Sequence, residues 1–98
     1  MDQTGILVKK LEERTGVSQH TGNPWRIAEF LLEVPGQRTK NIKFTVKDNQ
    51  SDRIARFESM IGKTVTVSFD IDADLYNDKW YTRIDAWGIM EYVPGRQQ

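Results

Sequence analysis

Five aromatic rings and six cations are the side chains here that could do chemistry together. The rings are Trp25, Tyr76, Trp80, Tyr81 and Trp87; the cations are Lys9, Arg14, Arg26, Lys43, Lys47 and Arg83. Flat rings stack on bases, and Lys and Arg neutralise phosphates; together they hold single strands. The same residue types also have a plainer use. In a chain of 98 residues, half of the tryptophans and tyrosines read equally well as core or rim packing. Trp87 reads as structural, because one face of Ile84-Asp85-Ala86-Trp87 must be buried. Lys43 and Lys47 read equally as a solvated face.

Other chemistry has little support. Asp70, Asp72 and Asp74 fall on one face if the segment is a strand, and could hold a divalent metal. The calcium-loop pattern fails, since Leu75 stands where a glycine is required and Tyr81 where a bidentate glutamate belongs. A solvated, charge-repelling face is the better reading. His20 is the sole histidine and lies in a polar segment. With no cysteine, disulfides and thiolate metal sites are excluded. Asn49-Gln50-Ser51 matches a glycosylation sequon but serves more simply as a helix cap. Phosphate-binding glycine loops, nucleophile elbows and paired metal-ligand motifs are missing from the sequence. The expectation is a non-enzyme without metal or cofactor.

Five strands and one helix must position these groups. Thr4 to Arg14 reads as a strand with apolar residues on both faces, followed by a polar loop over Thr15–Pro24. In Trp25 to Val34, Ala28, Phe30, Leu32 and Val34 share the core face; Trp25, Ile27, Glu29, Leu31 and Glu33 share the other. Arg26 has core-facing parity but can snorkel outward at a strand start. Lys40 to Lys47 points Ile42, Phe44 and Val46 inward and Lys43, Thr45 and Lys47 outward. Ser51 to Ile61 is the helix candidate, capped by Ser51 or Asn49, with Ile54, Phe57 and Ile61 as its stripe and Gly62 as its stop. Lys63 to Asp74 points Val65, Val67, Phe69 and Ile71 inward. Tyr76-Asn77-Asp78-Lys79 reads as a hairpin turn, and Trp80 to Val93 as the last strand. Trp80 and Tyr81 point opposite ways, so only one can face a ligand. Gly88 suggests a bulge.

The order β-β-β-α-β-β defines an all-β fold with one helix, a five-stranded OB-fold barrel. Residues 1–93 form the domain and 94–98 a flexible tail. OB-folds bind across strands two and three, framed by the loops joining strands one to two and four to five. Trp25, Lys43, Lys47, Tyr76 and Lys79 fall on that surface.

Charge and hydropathy bound the partners. Fourteen Lys and Arg balance fourteen Asp and Glu. Residues 1–56 carry ten basic and seven acidic groups, and residues 57–98 carry four and seven, so a basic and an acidic face are expected. No apolar run approaches the roughly 20 residues of a membrane span. The N-terminal segment lacks a signal peptide's long apolar region, and a cytoplasmic location is expected.

The runs Gly22-Asn23-Pro24-Trp25-Arg26, Glu29-Phe30, Val65-Thr66-Val67-Ser68-Phe69-Asp70-Ile71, Lys79-Trp80-Tyr81-Thr82 and Ala86-Trp87 resemble a family of short bacterial and phage proteins of the DUF type. The resemblance spans residues 2–92. It implies an OB-like fold and a relation to single-stranded DNA-binding proteins.

Residues and resemblance together predict non-catalytic binding of single-stranded nucleic acid, DNA ahead of RNA, with low sequence specificity. Trp25, Trp80 or Tyr81, and Tyr76 would stack; Lys9, Arg26, Lys43, Lys47 and Arg83 would neutralise phosphates. A homodimer or higher oligomer fits the moderate affinity of one small domain. The alternative is an OB-type protein-interaction or structural accessory module, favoured by zero net charge. An oligosaccharide-binding OB domain is a third, weaker reading.

Overall fold

A computed structural model describes residues 1–48 and 52–93. Strands β1 (Asp2–Val17), β2 (Pro24–Val34) and β3 (Lys40–Asp48) precede helix α1 (Arg53–Ser59); β4 (Thr64–Tyr76) and β5 (Lys79–Glu91) follow. The strands close into a barrel in the order β1-β2-β3-β5-β4. β1 serves both sides of the closure. Asp2–Ile6 pairs with β4, and Ile6–Val17 pairs with β2. Its register with β2 shifts at Val8 and again at Leu11, and both of these extra residues are exposed. Such bulges add twist and let one strand bend between two neighbours. Gly5 permits the close passage there: a Cβ on it would stand 2.5 Å from the Glu33 carbonyl oxygen. A short parallel contact, Thr45 beside Asp85, joins β3 to β5 and completes the ring. Five strands closed in this order, with a helix between β3 and β4, make an OB-fold.

The alternating residues form the core as their period requires. Ala28, Phe30 and Leu32 of β2, Phe44 and Val46 of β3, and Val65, Val67 and Phe69 of β4 are buried. α1 seals the barrel with Ile54 and Phe57. The ring of Phe57 lies 5.6 Å from Phe30 and 5.7 Å from Phe44, centroid to centroid. Buried Asp48 fixes the helix start: its Oδ2 accepts the Ile54 N–H at 3.1 Å.

The chain departs from the sequence expectations at several places. β1 runs on to Val17, so the first loop is shorter than predicted. The helix is seven residues long and ends before Ile61, which is exposed. Gly62 adopts a left-handed φ of 91°, two residues beyond the C-cap Met60. Asn49, Ser51 and the tail 94–98 lie outside the described residues. Asp52 at the N-cap makes no side-chain cap bond, so the cap comes from Asp48, outside the local pattern. Ile71 is 52% exposed rather than core, because β4 has left the barrel by that point. Asn77 and Asp78 take φ of 50° and 64°, the left-handed pair of a tight hairpin turn.

Candidate nucleic-acid interface

The ladders arrange the outer face of β1–β2–β3 in transverse rows. Lys9 stands opposite Leu31, which stands opposite Lys43. Glu12, Glu29 and Thr45 form the next row, and Arg14, Ile27 and Lys47 the one after; Gly16 and Trp25 end the series. Residues directly opposite one another share a face. Ala28, Phe30 and Leu32 occupy the other face and are buried, so these rows look outward. Lys9, Arg14, Trp25, Lys43 and Lys47 therefore share one surface. Lys9, Arg14 and Lys47 meet no carboxylate among the described residues. Lys43 lies 3.7 Å from the Glu29 carboxylate and is well exposed.

Trp25 owes its position to Gly16. A Cβ on Gly16 would stand 2.7 Å from indole Cε2, so the ring lies across the bare backbone. Beside the ring, Ser18, Asn23, Pro24 and Lys47 help to line a depression of about 560 Å³. A second, of about 310 Å³, holds Arg14, Lys43, Thr45, Thr82 and Arg83. An indole packed on Gly16 and lining an open depression can take a stacked base.

Two predicted cations are already engaged. Arg26 has core-facing parity and reaches Glu13, although it also helps to line the depression beside Trp25. Its Nη2 donates to Glu13 Oε1 at 3.0 Å and Oε2 at 3.1 Å. Lys10 donates to Glu13 at 3.0 Å and to Glu58 at 2.6 Å, which ties α1 to β1. The hydrogen bond from Arg26, then that from Lys10, holds the Glu13 carboxyl below the usual range; Glu13 raises Arg26 in turn, and Glu58, then Glu13, raises Lys10. Arg83 meets three carboxylates: Nε donates to Asp85 at 2.7 Å, Nη2 to Asp72 at 3.3 Å, and Nη1 to Asp74. These contacts, Asp85 first, raise its pKa. Asp72 and Asp74 are thus acceptors for a guanidinium, not the merely repelling face expected from sequence. Among the described residues no cluster of three metal-ligating side chains occurs.

Three of the remaining rings sit on an arm. Beyond Asp70 and before Ile84, β4 and β5 pair only with each other. One face carries Ile71 with Ile84, Ala73 with Thr82, and Leu75 with Trp80; the other carries Asp72 with Arg83, Asp74 with Tyr81, and Tyr76 with Lys79. Tyr76, Trp80 and Tyr81 are all exposed, since no further layer covers the arm. Trp80 stands among apolar neighbours and Tyr81 among carboxylates.

Trp87 reverses its expectation. The β4–β5 register runs Ser68 to Gly88 and then Phe69 to Ala86, which leaves Trp87 as the extra residue of a bulge. The buried face of Ile84-Asp85-Ala86-Trp87 is the one that carries Ala86, so Trp87 points the other way and is 54% exposed. It faces a groove of about 810 Å³ beside α1, where Arg53 and Arg56 stand. Sequence reading passed over these two arginines. Their signal was their spacing of three on the helix, away from the buried positions Ile54 and Phe57.

The fold has a solved counterpart. The crystal structure of a small single-stranded DNA-binding protein from Streptomyces coelicolor superposes with a TM-score of 0.52 at 14% identity, covering 95% of this chain and 93% of that one. At such identity the likeness is one of fold. Comparison with curated proteins gives no match. No helix among the described residues is long and apolar enough to cross a membrane. The model of DUF3127, a domain of unknown function, matches residues 2–90, from the start of β1 almost to the end of β5, and the chain belongs to that family.

Proposed function

We propose that the protein binds single-stranded nucleic acid, DNA ahead of RNA, without catalysis and with low sequence specificity. One observation carries the reading: Lys9, Arg14 and Lys47, with no carboxylate partner among the described residues, share with Trp25 the outer face of β1–β2–β3. That is the face on which OB-folds take oligonucleotides. The likeness in fold to a single-stranded DNA-binding protein supports it. Trp25 stacks on a base, and Lys9, Arg14, Lys43 and Lys47 meet phosphates. On the arm, Tyr76 and Tyr81 offer further rings on one face, or Trp80 on the other. Arg26 and Arg83 stay with their carboxylates and contribute less. One domain with few rings gives moderate affinity, and self-association would raise it by avidity.

The test is a tryptophan-fluorescence titration with oligothymidine at low and moderate salt. The expected result is quenching that weakens as salt rises, with a slope of about −0.7 per phosphate contact on a log–log plot. No response at low salt, in folded protein, refutes the reading. A second reading rests on the bare apolar face of the arm, Ile71, Leu75 and Trp80: a protein-interaction module, whose association salt would leave nearly unchanged.

A further inference from the structure

We infer that the groove between α1 and the β5 bulge is a second station on the path of the same single strand; this rests on the function proposed above. The groove repeats the chemistry of the outer face. It has one exposed indole, Trp87, and two exposed guanidiniums, Arg53 and Arg56. Neither guanidinium meets a carboxylate among the described residues. Asp52 is the acidic residue of the lining, and Phe57, Ile89 and Met90 supply an apolar floor.

The two stations approach each other at the end of β3. Arg53 lines the groove, and its Nη1 donates to the Lys47 carbonyl oxygen at 3.3 Å. Lys47 in turn lines the depression beside Trp25. Cations thus lead from one indole, round the end of β3, to the other. Trp87 is the extra residue of the bulge and stands outside the core between buried Ala86 and Ile89. It points away from its buried neighbour Ala86, and the extra residue lets Ile89 return to the core without drawing position 87 inward. Bulges commonly re-aim a side chain next to a functional site. Charge and proximity favour the nucleic-acid strand over an acidic peptide as occupant. A peptide could fill the groove alone, but the link through Arg53 and Lys47 would then have no use.

The experiment compares two oligothymidines, one of about 5 and one of about 16 nucleotides, within the range of OB-fold site sizes. Binding to intact protein, Trp87→Ala and Arg56→Ala is measured over a range of salt. The short strand should bind all three alike, because it fills only the Trp25 station. The long strand should bind Trp87→Ala about tenfold more weakly, in the range of one lost stack. Arg56→Ala should lower the salt slope for the long strand by about 0.7 and leave that for the short strand unchanged. Arg56 is exposed on the helix, so this variant keeps the test decisive should Trp87→Ala misfold. If the short strand binds with salt dependence and neither variant changes the long one, the second station is refuted and the proposed function stands. Equal weakening of both lengths by Arg56→Ala also refutes it, because the groove would not be separate. If neither strand binds the unaltered protein at low salt, the proposed function fails, and the second station with it.

Discussion

The indole of Trp25 lies across Gly16, its partner in the β1–β2 ladder, so closely that a single methyl group on Gly16 would stand 2.7 Å from Cε2. An aromatic side chain covering a cross-strand glycine is held by contact with bare backbone. The glycine therefore sets the angle of the ring on the outer face.

Gly16→Ala should displace that ring without unfolding the barrel, since a side chain and not backbone must yield. Oligothymidine affinity should fall about as far as in Trp25→Ala, by roughly 1–3 kcal/mol for one lost stack. Circular dichroism should show an unchanged strand signal. Normal binding by the Gly16→Ala protein would mean that the ring's position on the glycine is irrelevant to binding.

Lys47→Ala and Lys9→Ala should each reduce the salt slope by about 0.7, one phosphate contact apiece. Arg26→Ala should leave the slope unaltered, because its guanidinium is committed to Glu13. Isothermal titration at several salt concentrations separates the two behaviours.

Arg83 gives a prediction of opposite sign. Asp72 and Asp74 hold its guanidinium on the acidic face of the arm. Asp72→Asn with Asp74→Asn removes two negative charges and two ionic partners from a cation close to the depression beside Lys43. The double variant should bind single strands more tightly and show a steeper salt slope. Unchanged affinity would place the strand's path away from the arm.

Acid should loosen the barrel mouth. Glu13 titrates below its ordinary value of 4.5 because Arg26, and then Lys10, donate to it. A carboxylate depressed on folding contributes stability that is fully present above its unfolded value, and the contribution is lost as pH falls through the folded value. Denaturant melts should therefore be flat from neutral pH down to the ordinary Glu value and decline below it. Glu13→Gln should flatten part of that decline. An identical acid profile in the variant would rule out this network as a source of acid sensitivity.

Phe57 and Asp48 join the helix to the barrel. Phe57→Ala should cost about 3–5 kcal/mol, since it removes a fully buried ring that contacts Phe30 and Phe44. Asp48→Ala should cost about 0.5–2 kcal/mol through the lost bond to the Ile54 N–H. Urea melts measure both.

Local pattern sufficed where one face of an element is buried and the other wet. Ala28, Phe30 and Leu32, then Phe44 and Val46, then Val65 and Val67 alternate because a strand's period is two, and all are core. The hairpin at Asn77-Asp78 was equally legible, because few residues accept left-handed φ. From these came the element order, and from the order the barrel. The alignment of Lys43 and Lys47 on one face followed from the same period.

What alternation could not say was where it stops or shifts. The bulge beside Ser68 lets Ala86 and Ile89 both be buried and leaves Trp87 outside, and the arm leaves Ile71 and Trp80 without a covering layer because it runs beyond the barrel. Which cations are free was also decided in three dimensions. Arg26 and Arg83 look like Lys47 in a sequence, yet Glu13 lies 13 residues from Arg26 and Asp72 lies 11 from Arg83. Ladder register brings them together, and register is set by the packing of the whole sheet rather than by any short run of residues. For the same reason Asp48, at the end of a strand, could not be seen as the helix cap until the chain had turned back over it.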